Sequence, residues 1–386
     1  MCSVPRVVGI VRGAPFDRLT WSGASHHLFG ALERAGALAG PVDAEAPRFV
    51  DPLAKVAAFS PRSMRRWRER YEYSPVTRAA LGVAGAVRAS RVDSRPDALL
   101  QIGAWYELSR LPRPRPRVRC SYHDANLALF AREWSFIEDR RASHIRRTMA
   151  AERRVFDGLD LIMPMSDWLR RSFLEDFQQD PAKVVTVGAG ANLHEFPAEI
   201  AERDWSRPRL LFIGLDWVRK GGPTLLAAFR KLRAELPDAE LWIVGQERPA
   251  GEEPEPGVHW RGRIYRTTPE GDAEIARLQR EATAYVMPSL FDPFPNVFLE
   301  AMAHGLPCVG ADRCSMPEVI EHGVTGLIAP AGDADGLAEM LLKLSGAPDR
   351  ARAMGQAGRR RCLERFTWDA VARRMTREIA CRLPAT

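Results

Sequence analysis

The sequence predicts an α/β chain made of two parallel-sheet domains. Short apolar runs recur along its whole length. Each is followed by a segment with helical spacing, the alternation that marks strand–helix units in parallel sheets. At 386 residues and 46% hydrophobic content, the chain is long enough for two cores of ordinary size and too apolar for disorder.

In the N-terminal half, Val7 to Val11 is an apolar run that reads as the first strand. Ser22 is placed to cap a helix from Gly23 to Ala35, ended near Gly36. Gly23, at the tip of that strand-to-helix loop, would let a ligand approach the backbone or would simply serve a turn. Residues 61–73 carry five arginines among Trp67, Tyr71 and Tyr73. Such a segment fits an anionic membrane surface, a nucleic acid, or a solvated helix with its aromatics turned inward. Ala98 to Ala104 reads as a strand, and Pro112 to Arg119 as an extended connection alternating proline with arginine. The segment Cys120 to Asn126 ends another strand, and ligands of open parallel sheets bind beyond such ends. His123 and Asp124 lie there, although His123 reads equally as a hydrogen-bonded loop histidine. A charged helix over 138–157 and a strand over Leu161–Met165 follow. Ser166 should cap the helix Asp167–Phe177, and Val184–Val187 should be the last strand before the glycine-rich turn at 188–192.

In the C-terminal half, the strand Leu210–Ile213 leads into Gly214 to Thr224 and then a helix. Two glycines before a helix let its N-terminus approach an anion, and Lys220 supplies a mobile positive charge beside it. The spacing is not that of a G-x-x-x-x-G-K-[ST] phosphate loop. Strands are expected at Glu240–Val244, Val258–Ile264 and Cys308–Ala311. Between the last two lies the stretch the chain is organised around, residues 284–307. A buried strand ends at Pro288 and Ser289, a loop with two prolines follows, and Pro295 opens a helix that Gly305 and Pro307 terminate. A helix N-terminus reached through a tight loop offers unpaired N–H groups and a positive dipole end to a phosphate. Asp292 and Glu300, with seven residues between them, frame it. The triplet Asp333-Ala-Asp335 reads as a helix cap rather than a metal site.

The wording Phe-Pro-Asn-Val-Phe-Leu-Glu-Ala-Met-Ala-His-Gly-Leu-Pro over 294–307 resembles the E-x7-E motif of retaining GT-B glycosyltransferases of family 4 (glycosyl transferases group 1). The likeness is strong over 206–335 and looser over 1–200. It implies two Rossmann-like domains facing across a cleft: an acceptor-binding domain at 1–195 and a nucleotide-sugar-binding domain at 206–365. A terminal helix at 366–386 would cross back to the first. It implies that Glu300 binds the donor ribose, that Asp292 and His123 lie near the transferred sugar, and that Lys220 holds the pyrophosphate. Asp292 stands where the family usually has Glu, and Leu215 where it has an arginine that Arg219 would replace. Gly23, Phe294, Pro295, Asn296 and Val297 join the implied donor contacts, and Arg261, Gly262 and Arg263 lie where loops flank the base. The implied reaction is sugar transfer with retention of configuration, from a nucleotide-sugar to a glycan, lipid-linked or small-molecule acceptor. No metal or other cofactor is expected. The departures at Leu215 and Asp292 keep a second expectation open, an inactive nucleotide-sugar-binding protein on the same fold.

The net charge of +7 admits anionic small substrates, an anionic membrane or nucleic acid as partners. No nucleic-acid motif accompanies it, so nucleic acid is not expected. A dinucleotide dehydrogenase is disfavoured, because no G-x-G-x-x-G follows the first strand. There is no apolar run of about 18 residues and no signal-peptide pattern at the start. The six cysteines show no C-x-x-C. The expected location is therefore the reducing cytoplasm, with peripheral contact to the inner membrane face through the basic N-terminal domain.

Overall fold

A computed structural model describes residues 4–384 apart from 47–51, 53, 54, 57, 60, 62, 109–114, 135–141 and 249–252, and apart from the side chains of 65, 66, 68 and 69. The start of the proline–arginine connection, residues 138–141 of the expected charged helix, and Cys2 therefore lie outside the described residues. The chain divides into two compact units, residues 1–190 with 368–386, and residues 191–367.

In the first unit, strands β1 (Val7–Val11), β2 (Leu38–Asp43), β3 (Ala98–Ile102), β4 (Val118–His123) and β5 (Leu161–Pro164) form a parallel sheet in the order β2-β1-β3-β4-β5. Its described helices are α1 (Ala24–Arg34), α2 (Met64–Glu72), α3 (Pro75–Val92), α4 (Leu127–Glu133), α5 (Ala142–Asp157) and α6 (Asp167–Glu175). Side-chain oxygens start three of them: Ser74 accepts from Thr77 N, Asn126 from Leu129 N and Ser166 from Leu169 N. β1 and β3 are wholly buried and apolar except for Gln101, whose amide donates to Gly103 O at 2.9 Å, as a sheet covered on both faces requires.

Two expectations for this unit are corrected, and one strand is added. Ser22 is not the cap of α1. Trp21, Ser22 and Gly23 all have positive φ (48°, 55° and 85°), and Gly23 is the residue that enters the helix. The run Val184–Val187 is not a strand but makes one isolated bridge, Val184 to Ile162. β2 has no counterpart among the expected strands. It contains Gly40 and Pro41, residues that weaken a strand signal and are tolerated at a sheet edge, where β2 lies.

In the second unit, β6 (Arg209–Ile213), β7 (Glu240–Val244), β8 (Val258–Trp260), β9 (Ala284–Met287), β10 (Cys308–Ala311) and β11 (Gly326–Ala329) form a parallel sheet in the order β11-β10-β9-β6-β7-β8. The helices are α7 (Gly222–Glu235), α8 (Pro269–Glu281), α9 (Asn296–Ala303), α10 (Met316–Val319), α11 (Ala334–Ser345) and α12 (Pro348–Arg365). Asp333 caps α11 by accepting from Asp335 N and Gly336 N, as its position in the sequence implies. β8 stops at Trp260, short of the expected Ile264. Gly262 turns away with φ +63°, and its carbonyl accepts from Gly245 N at 2.7 Å. The last helix, α13 (Trp368–Ala380), belongs to the first unit. There Asp369 accepts from Arg34 of α1 at 2.7 Å, and Arg374 donates to the carbonyl of Val187.

The order of the second sheet positions the site. β6 and β9 are neighbours, while the strands that follow them, β7 and β10, lie on opposite sides. The loops leaving such a pair diverge, and the crevice beyond their carboxyl ends is where open α/β sheets take ligands.

Candidate active site

Two loops leave β6 and β9 at this crevice. The first, Gly214 to Gly221, is pinned against the second. Gly221 has φ +75°, and a Cβ there would sit 1.9 Å from the carbonyl oxygen of Pro288. Only glycine allows that approach. Leu290 N donates to Arg219 O at 2.9 Å, and Arg219 Nη1 donates to Phe291 O at 3.0 Å. The contact places the ammonium of Lys220 on the carboxylate of Asp292, two residues 72 apart in sequence. Both side chains are largely buried, at 14% and 10% exposure. Arg219 is held by Asp216 as well as by Phe291 O. It braces the loops, while Leu215 is exposed.

Beyond Asp292 the chain turns through Phe294 and Pro295 into α9. Pro295 is the residue before the helix and Asn296 its first. Ser315 Oγ donates to Pro293 O at 2.6 Å and fixes the turn from the side. Phe294 and Val297 are partly buried against the core of the unit. Asn296 Oδ1, on the first residue of α9, and Ser289 Oγ, just beyond β9, are buried without a hydrogen-bond partner.

Glu300 lies one turn into α9, with its side chain 4% exposed. Its partner is a residue the sequence did not single out. Arg266, after β8, donates through Nη1 to Glu300 Oε2 at 2.5 Å, and through Nη2 to Asn192 O at 3.3 Å. Its Nε reaches Asp272 at 3.3 Å. Burial raises the Glu300 carboxyl above its ordinary pKa, and the Arg266 guanidinium pulls it back down. The same carboxylate raises the pKa of Arg266. Arg266 belongs to no motif, so nothing in its sequence neighbourhood marks it. Arg261 lies over the Trp242 ring, 5.9 Å from its centroid. Arg263 lies over Tyr265 at 4.9 Å.

The remaining sequence-derived candidates belong to the first unit. His123 ends β4 as expected, but its ring is buried, with Nε2 2.7 Å from Ser121 Oγ and Phe156 and Phe173 edge-on at 5.5 and 5.2 Å. Burial lowers its pKa to about 3, so the ring is neutral at ordinary pH. Gly23 lies in the turn where Trp21 and Ser22 also adopt left-handed backbone, a conformation costly for non-glycine residues. Trp21 packs edge-on to Tyr122 at 5.3 Å, the residue before His123. Among the described residues, no group of three or more His, Cys, Asp or Glu side chains is placed to hold a metal.

Residues 207–346 match the sequence model of the family Glycosyl transferases group 1. This segment belongs to that family. The group 1 domain thus spans β6 to α11, with Lys220, Arg266, Asp292 and Glu300 inside it. The chain is 31% identical over 251 residues to alpha-maltose-1-phosphate synthase of Mycolicibacterium smegmatis, a match covering 57% of this chain and 63% of the relative. It is 29% identical over 241 residues to the GDP-mannose-dependent alpha-(1-6)-phosphatidylinositol monomannoside mannosyltransferase of Mycobacterium tuberculosis, covering 58% of this chain and 62% of that protein. The matches therefore span less than two thirds of either relative. Among solved structures, sucrose-phosphate synthase from Thermosynechococcus elongatus superposes with a TM-score of 0.67 at 16% identity, covering 96% of this chain and 98% of that one. The likeness extends the fold assignment beyond the group 1 domain: the chain has the GT-B fold.

Proposed function

We propose that this protein is a glycosyltransferase that takes a sugar from a nucleotide-sugar donor and transfers it with retention of anomeric configuration. The observation that carries the reading is the meeting of Lys220 and Asp292 at the sheet crossover, in front of the N-terminus of α9. The bond from sugar to phosphate breaks as negative charge builds on the leaving diphosphate. The ammonium of Lys220 and the positive dipole end of α9 lie where such charge would build, which is how fixed electrostatics lowers a barrier. Asp292 holds the ammonium at the mouth of the site until a diphosphate takes its place. Glu300 supplies an acceptor for ribose hydroxyls, kept in position by Arg266. Retention follows if the acceptor attacks on the face the phosphate leaves, with a phosphate oxygen taking the acceptor's proton. No covalent intermediate on Asp292 and no metal step is assigned.

The acceptor is a glycan or lipid-linked molecule in this reading. The mannosyltransferase relative, whose name specifies a phosphatidylinositol monomannoside, supports the lipid-linked class. Peripheral membrane contact through the basic first unit belongs to the same reading; among the described residues no helix is long and apolar enough to cross a bilayer.

The test is a thermal-shift and hydrolysis screen with UDP-, GDP-, ADP- and TDP-sugars. One donor should raise the melting temperature by linkage and be slowly cleaved to free nucleotide. Lys220→Ala should lower that cleavage by about 10²–10³. An unchanged rate in Lys220→Ala overturns the electrostatic role. Exposed Leu215, in the place of a family arginine, favours one second reading, an inactive nucleotide-sugar binder. Stabilisation by a donor without cleavage in the presence of any acceptor would favour it.

A further inference from the structure

The first unit holds an open cavity of ≈ 610 Å³ between α2, α3 and α5, a volume in the range of small-molecule sites. Arg70, Arg78, Arg147, Arg154 and His144 line it, and Glu107 is the one acid among the lining residues. On α5, His144, Arg147, Ala151 and Arg154 follow at spacings of three and four, so the helix turns one basic face to the cavity. On α3, Val76, Ala79 and Val83 keep the same spacing and form an apolar wall. Val76 and Val83 remain 59% and 51% exposed.

Arg78 is the decisive residue. It is 8% exposed, and its Nη2 donates to Ala151 O at 3.3 Å. Its Nη1 is buried with no hydrogen-bond partner. Placing a guanidinium in a protein interior is costly, and leaving a donor of that charge unsatisfied adds to the cost. From α5 the buried Glu152 offsets part of the charge, but its carboxylate is also engaged with Leu127 N at 3.0 Å. Two further arginines, Arg147 and Arg154, stand exposed at the rim. A cavity with four guanidinium groups, one of them an under-satisfied donor in the wall, is complementary to a group with several acidic oxygens. Arginine's planar fork matches phosphate in particular.

We infer that this cavity binds the phosphate group of a small phosphate ester whose apolar portion lies along Val76, Ala79 and Val83. As a binding site the inference stands on the cavity alone. It rests on the proposed transferase activity only where the ligand is taken to be the acceptor. The phosphate could be presented by a soluble ester or by a membrane lipid headgroup, and the shared chemistry is the phosphate beside an apolar body.

The full chain would be titrated calorimetrically with octyl phosphate, inorganic phosphate and octyl glucoside. Octyl phosphate should bind more tightly than inorganic phosphate, and the uncharged glucoside should not compete. The double variant Arg147→Ala/Arg154→Ala changes only exposed rim residues and should fold. It should weaken octyl phosphate binding by about tenfold or more, while leaving the donor-dependent thermal shift unchanged. Loss of the donor response with octyl phosphate binding intact would count against the transferase reading and not against this site. Flotation with phosphatidylcholine vesicles, with and without phosphatidylglycerol, separates the sources. Flotation that octyl phosphate competes away and the double variant abolishes supports the site with a lipid headgroup as its source. Binding of octyl phosphate without flotation supports the site with a soluble ester. Absence of octyl phosphate binding, or binding indifferent to the double substitution, overturns the inference.

Discussion

Replacing Arg266 with alanine tests how the group 1 domain keeps Glu300 charged in its interior. The Glu300 side chain is 4% exposed and the Arg266 side chain 34%. Breaking a buried ion pair by removing one partner costs about 3–5 kcal/mol, because the other charge is left uncompensated. Arg266 is a third exposed, and water screens part of its field, so the expected loss is smaller, roughly 2 kcal/mol. Arg266 also reaches Asn192 O and Asp272, and those contacts vanish in the same variant. A second variant separates the shares. Arg266→Ala/Glu300→Gln lacks the same contacts but carries no buried charge, and it should recover about half of the loss. Glu300 already has a raised pKa in the folded protein, and without Arg266 it rises further. The folded protein then holds the Glu300 proton to higher pH than the unfolded chain does. The destabilisation of Arg266→Ala should therefore be small near pH 5 and larger near pH 8. The assay is urea denaturation of the three proteins at both pH values. A double variant as unstable as the single one, with no pH difference, would refute the claim that charge on Glu300 is what Arg266 offsets.

Gly221→Ala should destabilise by about 2 kcal/mol or more, from left-handed backbone plus a Cβ 1.9 Å from Pro288 O. It should also weaken donor binding by separating the two loops; a fully stable variant with unchanged donor affinity would show that the loops can part freely. In the first unit, burial pushes Glu152 up to about 7, so the folded state keeps its proton longer than the unfolded state. The cost of ionising it is absent below about pH 4.5, grows as pH rises to 7 and amounts to about 3 kcal/mol above that. Glu152→Gln should thus gain stability over the parent at pH 8 and little at pH 4.5. His123 and His304 are lowered to about 3 and about 4 by burial, and they favour the folded state above pH 6.5 and weaken it on acidification. Comparing variant with parent at each pH cancels their contribution, and a gain that does not change with pH would contradict the assignment to Glu152.

Much of this architecture is written locally. Val7–Val11, Glu240–Val244 and Cys308–Ala311 are apolar runs with clear ends, and they are strands with those bounds. Ser166 and Asp333 cap helices because a short polar side chain in extended backbone just ahead of a helical segment can accept from its first N–H groups, whereas Ser22 is held in left-handed backbone and does not. What could not be read is set by neighbours distant in sequence. β2 is a strand because an edge position beside β1 tolerates Gly40 and Pro41. Arg266 matters only because the fold brings a loop after β8 over α9. The burial of His123 depends on Phe156 and Phe173, residues contributed by two later segments of the chain. Lys220 and Asp292 were each singled out by their own surroundings, while the bond between them is a product of the strand order.

The division of the chain also fixes an order of events during synthesis. Residues 191–367 are contiguous, so the second unit, which contains the group 1 domain, is complete as soon as α12 has left the ribosome. The first unit is not contiguous: its closing piece, α13, is made only after residues 191–367. Until then the flank of α1 that Asp369 will meet, and the backbone at Gly190 against which Trp368 packs, stay uncovered. A ribosome halted just before residue 368 thus holds residues 191–367 whole and a first unit still waiting for α13.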